Sequence, residues 1–293
     1  MIKLALIGTE NSHARAFTNI IYNGHPQLGG VPYADIKIIG LCGTNPDENK
    51  LLQEMTHGDA EISDDPHAWV GKADAVMVTC RHGAKHYPSV KPYIEAGTPA
   101  FIDKPITIDP AEAIELVKLA KEKNVAICGG STCGFVDGTQ SARVLAKKLE
   151  KIYGGSVSAP VSLKNEYGDF FFYSQHLVQI MTQVFGTDID SIIAVGREDA
   201  ATFIARYADY DVTGHYGSAG YSATIYEKAQ VFHKDIDLAA DAYLSEFRRF
   251  EHMVRTGGMP ESYEDLIAPV FILNAIYESM TTGKEVKVQK FSF

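Results

Sequence analysis

The sequence predicts an α/β fold, in which a doubly wound parallel sheet is followed by an α+β domain with a mostly antiparallel open sheet. In the first half of the chain, short apolar runs alternate with helical patterns, as is typical of parallel strands buried on both faces. After about Gly129 the strand-like runs become rich in Tyr, Thr and Val, as in half-buried antiparallel strands. A length of 293 residues allows two domains, which we place at residues 1–128 and 129–293.

In the first half, strands and helices alternate in an order that indicates βαβ units. Asp109 followed by Pro110 marks a helix start, because Asp caps helix N-termini and Pro suits the first helical position. Gly97 marks the end of the preceding helix. The predicted strands are Lys3–Gly8, Ile36–Cys42, Ala75–Thr79, Ala100–Ile102 and Val125–Cys128. The predicted helices are Ser12–Tyr22, Pro88–Ala96 and Pro110–Lys123.

The second half is predicted to be β-rich, with one helix before the strands, one inserted among them and two after them. Its predicted strands are Val157–Leu163, Ser191–Val195, Thr202–Tyr207, Val212–Tyr216 and Ser222–Phe232. Its predicted helices are Thr139–Lys151, Tyr173–Phe185, Ala239–Arg255 and Tyr263–Thr282.

Charge and composition exclude several classes of protein. Lys plus Arg number 27 and Asp plus Glu 37, giving a net charge of -10, so nucleic acid and anionic membrane surfaces are not expected as partners. The apolar run at the start is too short for a signal peptide, and no stretch approaches the ~20 apolar residues of a membrane span. With a pI of about 5.5, these features predict a cytoplasmic protein. The four cysteines form no CxxC pair and are expected to be buried, apolar-like side chains.

Ligands of open parallel sheets bind beyond the carboxyl ends of the strands. This rule brings Gly8–His13, Gly43–Asn45, Thr79–His86 and Asp103–Pro105 into one predicted crevice. The first of these segments lies where a dinucleotide-binding fold carries GxGxxG, but Glu10 and His13 replace its second and third glycines. A carboxylate there should repel a pyrophosphate, so Glu10→Gly is expected to tighten dinucleotide binding.

The other ends of the predicted strands also carry polar groups. Gly43 stands where a ribose-binding acid is expected, and Thr44 can bond a ribose or tolerate a 2′-phosphate, which leaves NAD and NADP open. Arg81 and His82 are candidates for contacting a negative cofactor or substrate. His82 and His86 have a spacing usable for metal, but no acid or cysteine accompanies them at a metal-typical spacing, so no metal site is expected. The alternative for His86 is a helix cap.

Two further residues are candidates for proton chemistry. Lys104 follows a buried strand, where a lysine is costly unless it faces a polar cleft. There it can hold a substrate hydroxyl, with Asp103 orienting it and Pro105 fixing the turn through a bond that can be cis or trans. His176 lies in a Phe-rich run, where a histidine is more often a satisfied core residue than a catalytic one.

Together these segments resemble the glucose–fructose oxidoreductase and inositol dehydrogenase family, Gfo/Idh/MocA. Residues 96–105, AGTPAFIDKP, look like its AGxxVxxEKP signature with Asp103 for Glu. His86 matches a family histidine, and the run from His176 to Gly186 matches the family's histidine helix. The two C-terminal helical segments also resemble those of the family. The resemblance implies a Rossmann domain and a second domain whose large open sheet makes homodimers or homotetramers.

The resemblance also implies a function: NAD(P)-dependent oxidation of a sugar, polyol or cyclitol hydroxyl. His176 would take the hydroxyl proton and Lys104 would stabilise the oxyanion, whereas Phe172 and Gln179 stand where the family has acids. Two alternatives stay open: a lyase or glycosidase that uses NAD in a non-redox reaction, and an inactive binding or regulatory protein. The predicted cofactor-binding residues are Gly8, Thr9, Glu10, Asn11, His13, Thr44, Thr79, Arg81, His82, His86, Asp103 and Pro105.

Overall fold

The computed structural model describes residues 1–238, 242–291 and 293. The chain forms two compact units, one of Met1–Gly129 with Tyr243–Ser262 and one of Gly130–Ala242 with Tyr263–Phe293. The first change of unit lies close to the expected boundary. The chain later returns to the first unit at Tyr243–Ser262, and the predicted division into residues 1–128 and 129–293 does not include this return. It occurs because Phe247 and Phe250 belong to the apolar core of the first unit.

The first unit contains the parallel sheet predicted from the alternating pattern. Its strand order is β3-β2-β1-β4-β5-β6, and β1 pairs in parallel with both β2 and β4. The order reverses between β1 and β4, so the doubly wound prediction is confirmed. The strands are β1 (Ile2–Ile7), β2 (Ile36–Cys42), β3 (Glu61–Ile62), β4 (Ala75–Val78), β5 (Ala100–Asp103) and β6 (Ile127–Gly130).

Local capping signals explain how well the helices of this unit could be predicted. Helix α4 begins at Pro110, with the Asp109 side chain accepting a hydrogen bond from the Ala111 N–H, as expected. Helix α2 and strand β3 were not predicted, although Asn45 before Pro46 is a similar start signal for α2. The helices are α1 (Ser12–Asn23), α2 (Pro46–Met55), α3 (His86–Glu95), α4 (Pro110–Lys123) and α8 (Ala242–Thr256).

Aromatic side chains join α8 to the core of the first unit. Phe17 of α1 packs edge-to-face on Phe101 of β5, with ring centroids 5.4 Å apart. Phe247 and Phe250 of α8 lie 6.1 Å from Phe17 and 6.2 Å from Phe101, respectively. The sequence predicted this helix as Ala239–Arg255; residues 239–241 lie outside the described part of the chain, and the rest is helical.

The second unit contains the mostly antiparallel sheet, in the order β12-β11-β7-β10-β9-β8-β13, with β7 and β10 parallel. The prediction of one strand over Ser222–Phe232 is wrong, because a turn between Glu227 and Gln230 divides it. That turn lacks glycine and proline, and the Glu227 carboxylate stabilises it by accepting a hydrogen bond from the Ala229 N–H. The strands are β7 (Gly154–Ala159), β8 (Ser191–Gly196), β9 (Ala201–Arg206), β10 (Asp211–Tyr216), β11 (Tyr221–Tyr226), β12 (Val231–Ile236) and β13 (Val286–Lys287).

Helices pack beside this sheet within the same unit. Of the predicted helix Tyr173–Phe185, residues 175–185 form one helix, and Tyr173 ends a short helix that precedes it, with Ser174 between the two. The helices are α5 (Asp137–Lys148), α6 (Phe170–Tyr173), α7 (Gln175–Phe185) and α9 (Tyr263–Thr282). A search of the described residues finds no helix with the length and apolar character needed to cross a membrane. All four cysteines are buried, as expected.

Candidate active site

A cavity of about 580 Å³ lies at the carboxyl ends of β1, β2 and β4. This is the point where the strand order reverses, and the volume lies within the usual ~300–1,000 Å³ of small-molecule sites. Of the predicted cofactor-binding residues, Gly8, Glu10 and Thr44 line it together. Lys85 also lines the cavity, although within the predicted segment Thr79–His86 the sequence had singled out Arg81, His82 and His86 instead.

Gly8 allows the first turn to lie directly against the end of β4. Its φ is +91°, and a Cβ there would lie 2.1 Å from the Cys80 backbone nitrogen, so a side chain is excluded. The buried Thr79 hydroxyl donates to the Gly8 carbonyl at 3.0 Å, and the Gly8 N–H donates to the Cys42 carbonyl at 2.7 Å. Thr79 therefore holds the backbone of the turn.

The Glu10 carboxylate reaches the end of β2. Its Oε2 accepts a hydrogen bond from the Thr44 N–H at 3.3 Å. A Cβ built on Gly43 would lie 2.8 Å from the same oxygen and 1.9 Å from the Thr9 hydroxyl. The Thr9 hydroxyl in turn donates to the Asn49 side chain. The Glu10 carboxylate therefore lies at the end of β2, where the strand itself carries no acid.

Asp103 at the end of β5 connects that strand to the first turn. Its Oδ2 accepts a hydrogen bond from Asn11 Nδ2 at 2.9 Å and lies 3.1 Å from His13 Nδ1. Its Oδ1 accepts from the Lys104 N–H at 2.7 Å. Burial alone would raise the pKa of Asp103, but the charge and hydrogen bond of His13, with the charges of Lys104 and His86, lower it to about 2.

We expect Asp103→Asn to destabilise the chain by about 2 kcal/mol at pH 7, the scale of a hydrogen-bonded buried charge. The folded-state pKa of Asp103 is lowered, so its stabilising contribution is present above about pH 4 and is lost as the pH falls towards 2. Urea unfolding between pH 7 and pH 3 measures both effects. The exposed Asp209→Asn is the matched control. An Asp103→Asn variant as stable as that control at pH 7 would contradict this expectation.

Lys104 follows Asp103 directly and is buried, with only 5% of its surface exposed. The peptide bond between Lys104 and Pro105 is cis. The Pro105 carbonyl lies 2.5 Å from His86 Nδ1, and the other ring nitrogen of His86 lies 2.7 Å from the Cys80 carbonyl. His86 is therefore fully buried between the ends of β4 and β5, and its side chain does not cap α3.

Glu246 of α8 is a buried acid that the sequence did not single out. It is 1% exposed, and among the described residues neither of its carboxyl oxygens has a hydrogen-bond partner. Burial and the negative charge of Asp103 raise the pKa of Glu246 well above its usual range, and the positive charges of Arg249 and Lys104 offset only part of this. The neutral acid is thus favoured close to Lys104. A lone Glu on the apolar face of a predicted helix is the signal that could have found it.

His82 and Arg81 are the two remaining candidates for contacting a negative cofactor or substrate. His82 Nδ1 accepts a hydrogen bond from the Ala84 N–H at 3.2 Å, which caps a short 3-10 turn, and Arg81 is partly exposed. Across the described residues, no three or more His, Cys, Asp and Glu side chains are grouped as a metal site.

In the second unit, His176 has polar partners despite its Phe-rich surroundings. Its Nδ1 lies 2.7 Å from Ser131 Oγ and 3.2 Å from Cys133 Sγ, and its ring packs edge-on against Tyr173. Gln179, at the position of a family acid, accepts a hydrogen bond from the Ser131 N–H at 3.2 Å. Sequence analysis missed Ser131 and Cys133; the polar turn that follows β6 was the available signal.

Phe172 stands where the family has an aspartate and packs against Tyr167 and Tyr173. A hydroxyl and a thiol therefore occupy the neighbourhood of His176 Nδ1, and an aromatic ring takes the position of the missing acid. A ring nitrogen held by such neighbours fixes the imidazole orientation, which a proton-transfer group requires.

Comparisons with known proteins agree with this architecture. Residues 2–130 match the model of the Gfo/Idh/MocA oxidoreductase family, described as an NAD-binding Rossmann fold. No curated protein matches the chain by sequence.

Solved structures show the same fold over the whole chain. A scyllo-inositol dehydrogenase from Lactobacillus casei, solved with NAD(H) and scyllo-inositol, has a TM-score of 0.83 at 16% identity and covers 98% of this chain and 99% of its own. A myo-inositol dehydrogenase from Lactobacillus casei, solved with NAD(H) and myo-inositol, has a TM-score of 0.84 at 13% identity and covers 100% of this chain and 98% of its own. A probable dehydrogenase from Thermotoga maritima has a TM-score of 0.83 at 16% identity and covers 98% of this chain and 99% of its own.

Proposed function

We propose that the chain is a dehydrogenase acting on a hydroxyl of a sugar, polyol or cyclitol, since residues 2–130 match the model of the Gfo/Idh/MocA oxidoreductase family with its NAD-binding Rossmann fold. The observation that carries the proposal is the buried Lys104 at the carboxyl end of β5. It directly follows β5, the strand next to β4, and the cavity opens at the end of β4. An ammonium kept in such a place suits an oxyanion that develops during hydroxyl oxidation.

The cavity residues fit a nicotinamide dinucleotide. Gly8 lets the first turn lie against the end of β4, and Thr44, Glu10 and Lys85 offer polar contacts at the rim of the sheet. When bound, the cofactor supplies the hydride acceptor of the reaction. The residues of this chain bind it, orient the substrate and handle the proton.

His176 is suited to accept the hydroxyl proton at Nε2. When Nδ1 carries the proton and donates to the Ser131 hydroxyl, the other ring nitrogen keeps its lone pair for the substrate. Lys104 stabilises the oxyanion that remains, and its positive charge is one of those that lower the pKa of the neighbouring Asp103.

Turnover with a substrate panel tests this function. The chain is incubated with NAD or NADP and with inositols, sugars and acyclic polyols, while the absorbance of the reduced nicotinamide is followed. We expect an increase with NAD and at least one cyclitol or sugar; the inositols come first because related folds were solved with them. Cofactor binding without any turnover would overturn the proposal in favour of a binding protein.

The replacement of the family aspartate by Phe172 is the observation that favours a second function, in which NAD assists a lyase or glycosidase. In that reaction the cofactor is regenerated in each cycle, so product forms without a lasting change of absorbance. Product analysis by mass spectrometry in the same incubations separates the two functions.

The homo-oligomeric state and the cytoplasmic location remain predictions from the sequence.

We expect Ser131→Ala to lower kcat by about three- to tenfold, the worth of one hydrogen bond, because Nδ1 of His176 loses its nearest partner. The Kd for NADH should stay at the wild-type value, since Ser131 belongs to the second unit. Ser158→Ala is the control, because it removes a hydroxyl of the same unit that is hydrogen-bonded to the Ser222 hydroxyl on the sheet. Equal kcat values for the two variants would show that Ser131 does not position His176.

A further inference from the structure

The end of β2 lacks the acid that dinucleotide-binding sheets use there to bond the adenosine ribose. Gly43 takes that position, and the space above it is already filled. A Cβ on residue 43 would lie 1.9 Å from the Thr9 hydroxyl, which is itself held by Asn49. A side chain therefore cannot project from residue 43 into the cavity without displacing the first turn.

The Glu10 carboxylate occupies the neighbouring space. Its Oε2 accepts from the Thr44 N–H at 3.3 Å and lies 2.8 Å from where the Cβ of an acid on residue 43 would begin. The same side chain lines the cavity together with Gly43 and Thr44. The carboxylate is thus delivered to the end of β2 by the chain segment that follows β1.

The charges around the cavity disfavour an additional phosphate. Its described lining carries the acids Glu10 and Asp64 and the cation Lys85, and it includes no arginine. A 2′-phosphate near the Glu10 carboxylate would place like charges within a few ångströms of each other in a partly desolvated site. Two ribose hydroxyls at the same place can instead both donate to the carboxylate.

We propose that Glu10 is the ribose-binding acid of this chain and that it makes the cavity select NAD over NADP. The inference rests on the proposed function to the extent that a nicotinamide dinucleotide binds here. It reverses the expectation drawn from the sequence, in which the Glu10 carboxylate repels the cofactor. The residue that replaces a glycine of the first turn becomes a specificity-determining residue.

Equilibrium binding of NADH and NADPH, followed by nicotinamide fluorescence, tests the inference without turnover. For Glu10→Gln we expect the Kd for NADH to rise about tenfold or more, the scale of hydrogen bonds to a charged group. The Kd for NADPH should fall or stay constant, so that the ratio of the NADPH Kd to the NADH Kd decreases. Glu54→Gln is the matched control, because it makes the same change at an exposed position of α2 outside the lining of the cavity.

A cofactor analogue locates the contact. NADH that lacks the 2′-hydroxyl of the adenosine ribose should bind wild-type protein more weakly than NADH does, whereas Glu10→Gln should bind the two alike. Tighter NADH binding by Glu10→Gln or Glu10→Gly would overturn the inference. Variants that bind both cofactors with the wild-type affinities would overturn it as well. In both cases the proposed dehydrogenase function stands. Wild-type protein that binds neither cofactor would refute both.

Discussion

We expect Lys104→Met to lower kcat by about 100-fold or more, because this is the usual contribution of a positioned acid–base group. Met keeps most of the length of the buried side chain and removes only the ammonium. The oxyanion that forms on the substrate then loses the positive charge that we place beside it. Steady-state turnover on the substrate found in the panel measures the effect, and the Kd for NADH should remain near the wild-type value.

The exposed Lys50→Ala serves as the control for loss of a lysine from the first unit. Thermal unfolding of both variants shows whether the loss of turnover comes from unfolding, which matters because Lys104 lies beside Asp103 and Glu246. A folded Lys104→Met enzyme with the turnover of Lys50→Ala would remove Lys104 from the mechanism.

For His176→Gln we expect a similar fall in kcat, of about 100-fold or more, if His176 is the proton acceptor. Gln keeps much of the side-chain volume and one hydrogen-bonding end, so the contact with Ser131 can persist while the basic nitrogen is lost. His176→Ala should lose the same activity and also stability, because the ring packs against Tyr173 with centroids 4.6 Å apart.

His233→Gln makes the same change at an exposed strand position of the same unit and should leave turnover unaffected. Near wild-type turnover by His176→Gln would assign the base elsewhere, and Tyr173 would be the next residue to test. A His176→Ala variant that unfolds early but turns over normally when folded would identify the histidine as a core residue.

The sequence was sufficient to predict an element of the fold where the local signals agree with the tertiary packing. Helix α4 has the predicted bounds because Asp109, Pro110 and the apolar stripe all act within one helix. The parallel sheet was predicted because its strands are buried on both faces and are continuously apolar. The turn at Glu227–Gln230 was missed because a carboxylate closes it without the glycine or proline that marks most turns.

The contacts of the candidate site depend on residues that are distant in the sequence. Glu10 and Thr44 are 34 positions apart, and Ser131 and His176 are 45 apart. A one-dimensional pattern shows which residue types stand at strand ends, but it does not show which way a side chain turns. The sequence therefore located the turn that carries Glu10, whereas the contact of its carboxylate with the Thr44 N–H is visible only in the fold.

The return of α8 to the first unit has a consequence for how the chain is made. On the ribosome, residues 1–129 emerge before α8, so the apolar surface that Leu244, Phe247, Phe250 and Met253 cover in the finished protein stays open meanwhile. Residues 130–242, which are the larger part of the second unit, are synthesised in this interval. Domains usually fold in the order in which they emerge, and exposed apolar surface favours aggregation. The dinucleotide-binding unit thus completes its core late in biosynthesis, although it comes first in the gene.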